Sequence, residues 1–245
     1  MTLPERLRDK VKGGPGGAIR PRDAATLIIL DTAADKTRIL MGRRRRDLAF
    51  MAGKYVFPGG RLDADDPRAP VLDDLPGGLE QRLLARMRGR PSSRRARGLA
   101  LTAIRETFEE TGILIGRSGE ADGGRLPAVW QDFLRHGIVP TLAPLRLVAR
   151  AITPPGRPRR FDTRFFMTVA DAIGRRLPLD SAPDGELEDI CWLTFGEARD
   201  LDLPDITHVV LDEIEEALTR GIDYAGHPSI PFYHMRHGRF VRDMI

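Results

Sequence analysis

Apolar and polar residues alternate in blocks that predict strands in both halves of the chain. Compact apolar runs at 25–30, 145–152 and 161–169 are typical of buried strands, and a shorter run at 190–194 predicts another. Residues 38–42 follow the first run after a polar turn, which predicts a hairpin. Strands therefore precede and follow the middle of the chain.

The middle of the chain predicts one long helix. Ser92 or Ser93 can cap its start, it runs to about Thr111, and Gly112 suits a helix C-cap. Its apolar stripe consists of Leu99, Ala103, Ile104 and Phe108. Shorter helices are predicted at 79–87, 129–136 and 205–219. Strands on both sides of a long helix, with a further helix late in the chain, indicate a mixed α/β domain.

The domain organisation is predicted from changes in composition. A glycine-rich segment at 13–17 predicts a flexible N-terminal tail over 1–22, followed by a single domain over 23–245. The first residues are charged and lack a long apolar core, so we expect neither a signal peptide nor an anchor. We therefore expect a cytoplasmic protein. No apolar run approaches the roughly 18 residues of a membrane helix, so no membrane partner is predicted.

The charge balance is basic, with 39 Lys and Arg residues against 35 Asp and Glu residues. Arginine supplies nearly all of the positive charge and makes bidentate contacts with phosphates, which favours a polyanionic ligand. Nucleic acid is an unlikely partner, because aromatic residues make up only 6% and the arginines are dispersed. Cys191 is the only cysteine, which excludes an intrachain disulfide and a cysteine-based zinc site.

Three carboxylates, those of Glu106, Glu109 and Glu110, stand at helical spacing near the end of the long helix. They share one face within a single turn, where like charges repel each other. A divalent cation relieves this repulsion, and clustered carboxylate oxygens suit Mg²⁺ or Mn²⁺. The pattern therefore predicts a metal-dependent enzyme that acts on phosphate esters or anhydrides.

These carboxylates belong to a longer motif, Arg105-Glu106-x-x-Glu109-Glu110-x-Gly112-Ile113, which resembles the second half of the Nudix box. Phe57-Pro58-Gly59-Gly60 is similar to the strand end and glycine pair that open this box. The resemblance implies a Nudix hydrolase with an α/β/α sandwich and a mixed sheet. The chain departs from the standard box in two ways: an insertion at about 61–95 separates its halves, and Arg97 stands where the early glutamate belongs.

The insertion and its flanking residues resemble the nineteenth-type branch of the Nudix family, which includes a peroxisomal coenzyme A diphosphatase. Arg44 fits the first arginine of the coenzyme A signature, whereas Arg45 and Ala49 depart from it. The resemblance implies hydrolysis of coenzyme A or acyl-coenzyme A to 3′,5′-ADP and a phosphopantetheine. Other substrates stay open, namely ADP-ribose, NADH or another nucleotide, and so does a Nudix-fold sensor that binds a nucleotide without hydrolysis.

The resemblance also implies roles for individual residues. Glu106, Glu109 and Glu110 are the expected metal ligands and catalytic residues, with Arg105 orienting them and a backbone carbonyl of Gly59 or Gly60 as a further ligand. The general base is one of the glutamates of the motif, or Glu186 or Glu188 from a later loop. The candidate substrate-binding residues are Arg43, Arg44, Phe57, Arg160 and Arg164. Phe50, Phe165 and Phe166 line a substrate pocket or simply fill the core, and the insertion caps the site or forms a homodimer contact.

Overall fold

The computed structural model describes residues 4, 7, 19–33, 35–48, 51–178, 182–183, 185–222, 224–226 and 228–245. Most of the tail predicted over 1–22 lies outside these residues, as do Ala49 and Phe50. The described helices are α1 (Gly77–Leu84), α2 (Ser93–Thr111), α3 (Ala128–Arg135), α4 (Phe195–Arg199) and α5 (Asp205–Thr219).

The described strands fall into one large sheet and two small ones. In chain order they are β1 (Arg22–Asp31), β2 (Arg38–Arg44), β3 (Tyr55–Val56), β4 (Gly59–Arg61), β5 (Ile113–Ile115), β6 (Arg117–Ser118), β7 (Ile138–Val139), β8 (Arg146–Ile152), β9 (Phe161–Val169), β10 (Ile173–Arg176), β11 (Leu187–Thr194), β12 (Pro231–Arg236) and β13 (Arg239–Met244). The large sheet has the order β11-β2-β1-β9-β8-β12-β13, with β3 paired to β2 and β4 paired to β1.

The large sheet is mixed, as predicted. Strand β1 pairs antiparallel with β2 and β4 and parallel with β9. Strand β8 pairs antiparallel with β9 and parallel with β12. The interior of β1 and nearly all of β8 are buried on both sides of the pleat, because helices cover both faces. Helix α2 packs on β1, and α1 and α5 pack on β8. The predicted α/β fold is confirmed.

Helix α2 has the predicted limits. Ser92 is its N-cap, and its hydroxyl accepts a hydrogen bond from the backbone N–H of Arg95 at 3.2 Å. Gly112 ends the helix in the left-handed region with φ 69°, a conformation that glycine adopts at little cost. The predicted apolar stripe, formed by Leu99, Ala103, Ile104 and Phe108, is fully buried. Both capping predictions are therefore confirmed.

The polar side of α2 is also buried, which its apolar stripe does not predict. Arg105 and Glu110 are only 5% and 2% exposed. Strand β4 and a 3₁₀ turn at Asp66–Arg68 pack on this side of the helix. Arg105 and Glu110 therefore lie between elements instead of facing solvent.

Other predicted elements differ in their bounds, and a C-terminal hairpin was not predicted. Helix α1 ends at Leu84, before the predicted end at residue 87. Arg86, two residues later, takes a left-handed conformation with φ 51°. After α5 the chain returns as β12 and β13 and extends the sheet beside β8. The insertion carries α1, whose Leu79 and Leu83 join the main core. Its Asp73 accepts hydrogen bonds from the backbone N–H groups of Leu142 and Ala143 at 2.6 and 2.7 Å.

Candidate active site

The candidate site forms where β4 crosses the last turns of α2. Gly59 and Gly60 pair with Thr26 and Ala25 of β1, which brings β4 onto the sheet directly beside the helix. A β-carbon at position 60 would overlap the carboxyl group of Glu106. The glycine pair therefore lets the backbone approach the carboxylates more closely than any other residue type allows.

Glu110 is the more deeply buried of the carboxylates that face this strand. The backbone N–H of Gly59 donates to its Oε2 at 2.9 Å, and Nη1 of Arg44 lies 3.7 Å from its Oε1. Burial raises the pKa of Glu110 well above its usual value, and the negative charge of Glu106 raises it further. The hydrogen bond from Gly59 and the positive charge of Arg44 oppose this increase only in part.

Glu106 lies one turn earlier, with 15% of its side chain exposed. Burial raises the pKa of Glu106 to about 7; Arg105 opposes the increase, and the charge of Glu109 adds to it. Two carboxyl groups with raised pKa values therefore lie side by side at the glycine pair. A cluster of this kind is a candidate functional site on physical grounds.

Arg105 links the cluster to the insertion. Its Nη1 lies 2.9 Å from Oε1 of Glu106 and 2.5 Å from Oε2 of Glu109. Its Nε and Nη2 donate to Oδ1 and Oδ2 of Asp66 at 2.7 and 3.1 Å. Burial lowers the pKa of Arg105, but the hydrogen bonds to Asp66 and the three nearby carboxylates outweigh burial and raise it above its usual value. No role was predicted for Asp66, which ends the acidic stretch Asp63-x-Asp65-Asp66 at the start of the insertion.

The residues present fit a divalent cation, although they are not gathered around one point. Glu106 is half-buried and Glu110 is buried. The two repel each other and lie against backbone that has no side chain, so a cation there would relieve the cost of both charges. Within the part of the chain that is described, no three His, Cys, Asp or Glu side chains are grouped closely enough to surround an ion. Glu109 is turned toward Arg105 instead, and a bound cation would draw it back.

Of the two later glutamates, Glu186 lies nearer to the cluster. Nη2 of Arg44 donates to its Oε2 at 2.9 Å, and its charge contributes to the raised pKa of Glu110. Glu188 instead pairs with Arg43, whose Nη2 lies 3.1 Å away, and Arg43 also donates from its Nε to Asp189 at 2.8 Å. Arg44 therefore joins Glu186 to the glutamates of α2, whereas Arg43 stands in a separate ion-pair group.

The other predicted substrate-binding residues are not brought to the cluster. Phe57 is 4% exposed and belongs to the core. Arg160 donates to the backbone oxygens of Thr153 at 3.0 Å and Ile19 at 2.7 Å. Arg164 is 1% exposed and pairs with Asp23 at 2.8 Å, so its predicted contact with substrate is corrected to a structural ion pair.

Of the two alternatives for the aromatic residues, a pocket lining or the core, the structure supports the core. Phe165 and Phe166 are 5% and 0% exposed and lie in the core. Phe50 lies outside the described residues.

Among the helices that the structure describes, none is long and apolar enough to cross a bilayer.

Comparison with known proteins agrees with the fold. No protein-family model matches the chain. The acyl-coenzyme A diphosphatase NUDT19 of Gallus gallus is 32% identical over 210 residues, which cover 65% of this chain and 54% of that protein. Nudix hydrolase 7 of Caenorhabditis elegans is 28% identical over 162 residues, which cover 61% of this chain and 45% of that protein. The chain thus spans about half the length of these two relatives.

A solved structure also resembles this chain. The NUDIX hydrolase from Alicyclobacillus acidocaldarius superposes with a TM-score of 0.57 and 26% identity, covering 82% of this chain and 97% of that one. In this chain β4 and α2 carry the two halves of the interrupted box. In its fold, its glycine pair and its glutamate helix, the chain is similar to the Nudix hydrolases.

Proposed function

We propose that this chain is a diphosphatase that depends on a divalent metal, Mg²⁺ or Mn²⁺, and hydrolyses a nucleoside diphosphate linked to a second group. The observation that carries the proposal is the contact of Glu106 and Glu110 with the side-chain-free backbone of Gly59 and Gly60. When bound there, a divalent cation would neutralise the diphosphate and make a bound water more acidic. The likeness to Nudix hydrolases supports the same class of reaction.

We propose separate roles for the glutamates and for Arg105 in this reaction. Glu106 and Glu110 would hold the cation, and Glu109 would join them once its ion pair with Arg105 opens. Arg105 orients Glu106 and Glu109 through its Nη1. Glu186 is the proposed general base, because it lies next to Arg44 and Glu110 and keeps 36% of its side chain exposed to receive a proton from water.

The proposed reaction is attack of water on one phosphorus of the diphosphate. The water oxygen forms a new bond to that phosphorus, and the bond between the same phosphorus and the bridging oxygen breaks. The general base takes the proton of the water, and the bridging oxygen leaves with the second phosphate. For a coenzyme A compound the products are 3′,5′-ADP and phosphopantetheine or its acyl form.

We propose coenzyme A or acyl-coenzyme A as the substrate, in a cytoplasmic setting. The likeness to a relative named as an acyl-coenzyme A diphosphatase supports this choice. Arg44 also supports it, because its guanidinium stands beside Glu110 and can contact a substrate phosphate there. Arg45 and the position of Ala49 depart from the coenzyme A signature, so the substrate has to be measured rather than assumed.

The test is product analysis by mass spectrometry on coenzyme A, acetyl-coenzyme A, ADP-ribose, NADH and dGTP with Mg²⁺ or Mn²⁺. Release of 3′,5′-ADP from the coenzyme A compounds is the expected result. Glu110→Gln should abolish it, whereas Glu216→Gln, at an exposed position of α5, should not. Preference for ADP-ribose or NADH would keep the reaction and replace the substrate. Tight binding of one compound without turnover would favour a sensor.

A further inference from the structure

Three segments at one end of the large sheet share a composition that the candidate site does not use. They are 19–22, which leads into β1, 85–95, which runs from the end of α1 into α2, and 153–160, which joins β8 to β9. The start of β1, the end of β8 and the start of β9 lie side by side in the sheet. Together the three segments contain ten arginines and no aspartate or glutamate. Their charge can therefore be met only by residues outside them.

Hydrogen bonds and a charge contact hold these segments against one another. Nη1 of Arg160 donates to the backbone oxygen of Ile19 at 2.7 Å, and the backbone N–H of Arg22 donates to the backbone oxygen of Arg160 at 2.9 Å. Burial lowers the pKa of Arg160, and the nearby positive charge of Arg88 lowers it further. The three segments therefore form one continuous basic surface.

Little of the charge on this basic surface is neutralised. Arg95 pairs with Asp23 at 2.5 Å, and Arg86 pairs with Asp243 at 2.8 Å. The ion pairs that the structure describes include none of the other eight arginines, which are Arg20, Arg22, Arg88, Arg90, Arg94, Arg157, Arg159 and Arg160. Apart from Arg160, which is half-buried, these eight side chains are exposed. A surface with this excess of one charge attracts a polyanionic partner.

The other residues of the basic surface favour an anionic lipid over a nucleic acid. The three segments hold no Phe, Trp or Tyr, so they offer no aromatic ring on which bases could stack. Ile19 is instead 47% exposed, and its backbone is held by Arg160. Arginines around an exposed apolar side chain suit the interface of an anionic bilayer. The charges meet the headgroups there, and the apolar chain enters the boundary with the acyl chains.

We propose that the basic surface formed by 19–22, 85–95 and 153–160 binds the face of an anionic lipid bilayer. The prediction of no membrane partner rests on the lack of a spanning segment, and a peripheral contact requires none. Glu106 of the candidate site stands about 16 Å further along α2 than Arg95. Lipid binding is therefore independent of the proposed reaction and can be tested without it.

The test is sedimentation of the full chain with lipid vesicles. One set of vesicles consists of phosphatidylcholine alone, and the other of phosphatidylcholine and phosphatidylglycerol in equal amounts. We expect the protein to sediment with the anionic vesicles and to stay in solution with the neutral ones. High salt should weaken the binding, because it screens exposed charges from the headgroups.

A pair of double variants separates this surface from the net charge of the chain. Arg88→Ala with Arg159→Ala removes two unpaired charges of the surface and should weaken vesicle binding by about 10- to 30-fold. Arg135→Ala with Arg220→Ala is the matched control. It removes the same charge from exposed ion pairs outside the surface, with Asp132 and with Glu216. Affinity in the control should stay within about twofold of wild type, since attraction to headgroups acts over short distances.

A third variant separates lipid from other polyanions. Ile19→Ala leaves the charge and the backbone contact with Arg160 in place and shortens the exposed apolar chain. We expect it to weaken binding to anionic vesicles by about three- to tenfold, because less apolar surface enters the bilayer. Binding to a short RNA duplex, measured in parallel, should be weak in the wild type.

Three results would overturn the proposal. The first is a wild-type protein that does not sediment with anionic vesicles. The second is an equal loss of vesicle binding in the two double variants, which would mean that net charge alone acts. The third is tight binding to the RNA duplex that Arg88→Ala with Arg159→Ala weakens, without vesicle binding. That result would assign the basic surface to nucleic acid.

Discussion

Gly60 of β4 lies so close to Glu106 of α2 that a β-carbon at position 60 would overlap the glutamate's carboxyl group. The adjacent Gly59 faces backbone instead: a β-carbon there would lie 2.6 Å from the carbonyl oxygen of Ala25 and 2.7 Å from the Cα of Thr26. The two glycines therefore have different structural roles. One leaves room for a carboxylate, and the other lets two strands approach.

Alanine at these two positions should separate activity from stability. In Gly60→Ala the flexible Glu106 side chain can move away, so the fold should survive while turnover falls by about 100-fold, the order expected for a ligand displaced by about 1 Å. In Gly59→Ala the clash is with backbone, and we expect a loss of about 1–3 kcal/mol in the free energy of unfolding. Urea unfolding and steady-state kinetics on both variants measure the two effects. A stable, fully active Gly60→Ala would contradict the placement of Glu106.

The raised pKa of Glu106 predicts how stability depends on pH without metal. The folded chain keeps the Glu106 proton up to about pH 7, whereas an unfolded chain releases it near 4.5. The folded state therefore binds more protons in this window, and its stability falls as pH rises from about 4.5 to 7, by up to about 3 kcal/mol from this group. Urea unfolding with a chelator, at pH 5 and pH 8, should show a smaller fall for Glu106→Gln than for the wild type.

Addition of metal should reverse this trend. A cation stabilises the ionised glutamates, so Mg²⁺ or Mn²⁺ should raise the melting temperature more at pH 8 than at pH 5.5. Glu106→Gln should reduce the stabilisation at pH 8. An equal shift at both pH values would mean that the ion binds away from Glu106.

The two later glutamates give a matched pair of variants for the general base. Glu186→Gln should lower kcat by about 10²–10⁴-fold and change the acidic side of the pH–rate profile, because a proton acceptor is lost. Glu188→Gln, which removes only a partner of Arg43, should keep kcat within a few-fold of wild type. If both variants retain activity, the base lies among the glutamates of α2.

Arg164 should prove to be structural. Its ion pairs with Asp23 and Asp162 are buried, and removing one partner of a buried pair typically costs about 3–5 kcal/mol. We therefore expect Arg164→Ala to lower the midpoint of urea unfolding markedly, with KM of the remaining folded enzyme unchanged. An increase in KM at constant stability would return Arg164 to the substrate site.

The main elements of the fold could be predicted because local patterns agree with tertiary structure. The caps Ser92 and Gly112 and the apolar stripe of α2 are local signals, and they gave the limits of the helix. The hairpin β12–β13 was missed, since its residues mix charged and apolar side chains and their burial depends on pairing with the distant β8.

The candidate site was predictable only where a motif marks it. Glu106, Glu110 and the glycine pair stand in recognisable spacing, and the structure brings them together. The burial of Arg164 and the bonds of Asp66 to Arg105 follow from contacts between segments far apart in sequence, for which a single sequence holds no local signal.

The parallel pairing of β1 with β9 also bears on when the site can form during synthesis. Ala25, which pairs with Gly60 on one edge of β1, pairs with Arg164 on the other. The part of the sheet on which β4 and α2 pack is thus completed by β9, which is synthesised long after both of them. At about 5–20 residues per second, the nascent chain must expose its glutamate helix for several seconds before β9 leaves the ribosome. Co-translational partners that shield exposed apolar surface would act on this protein during that interval.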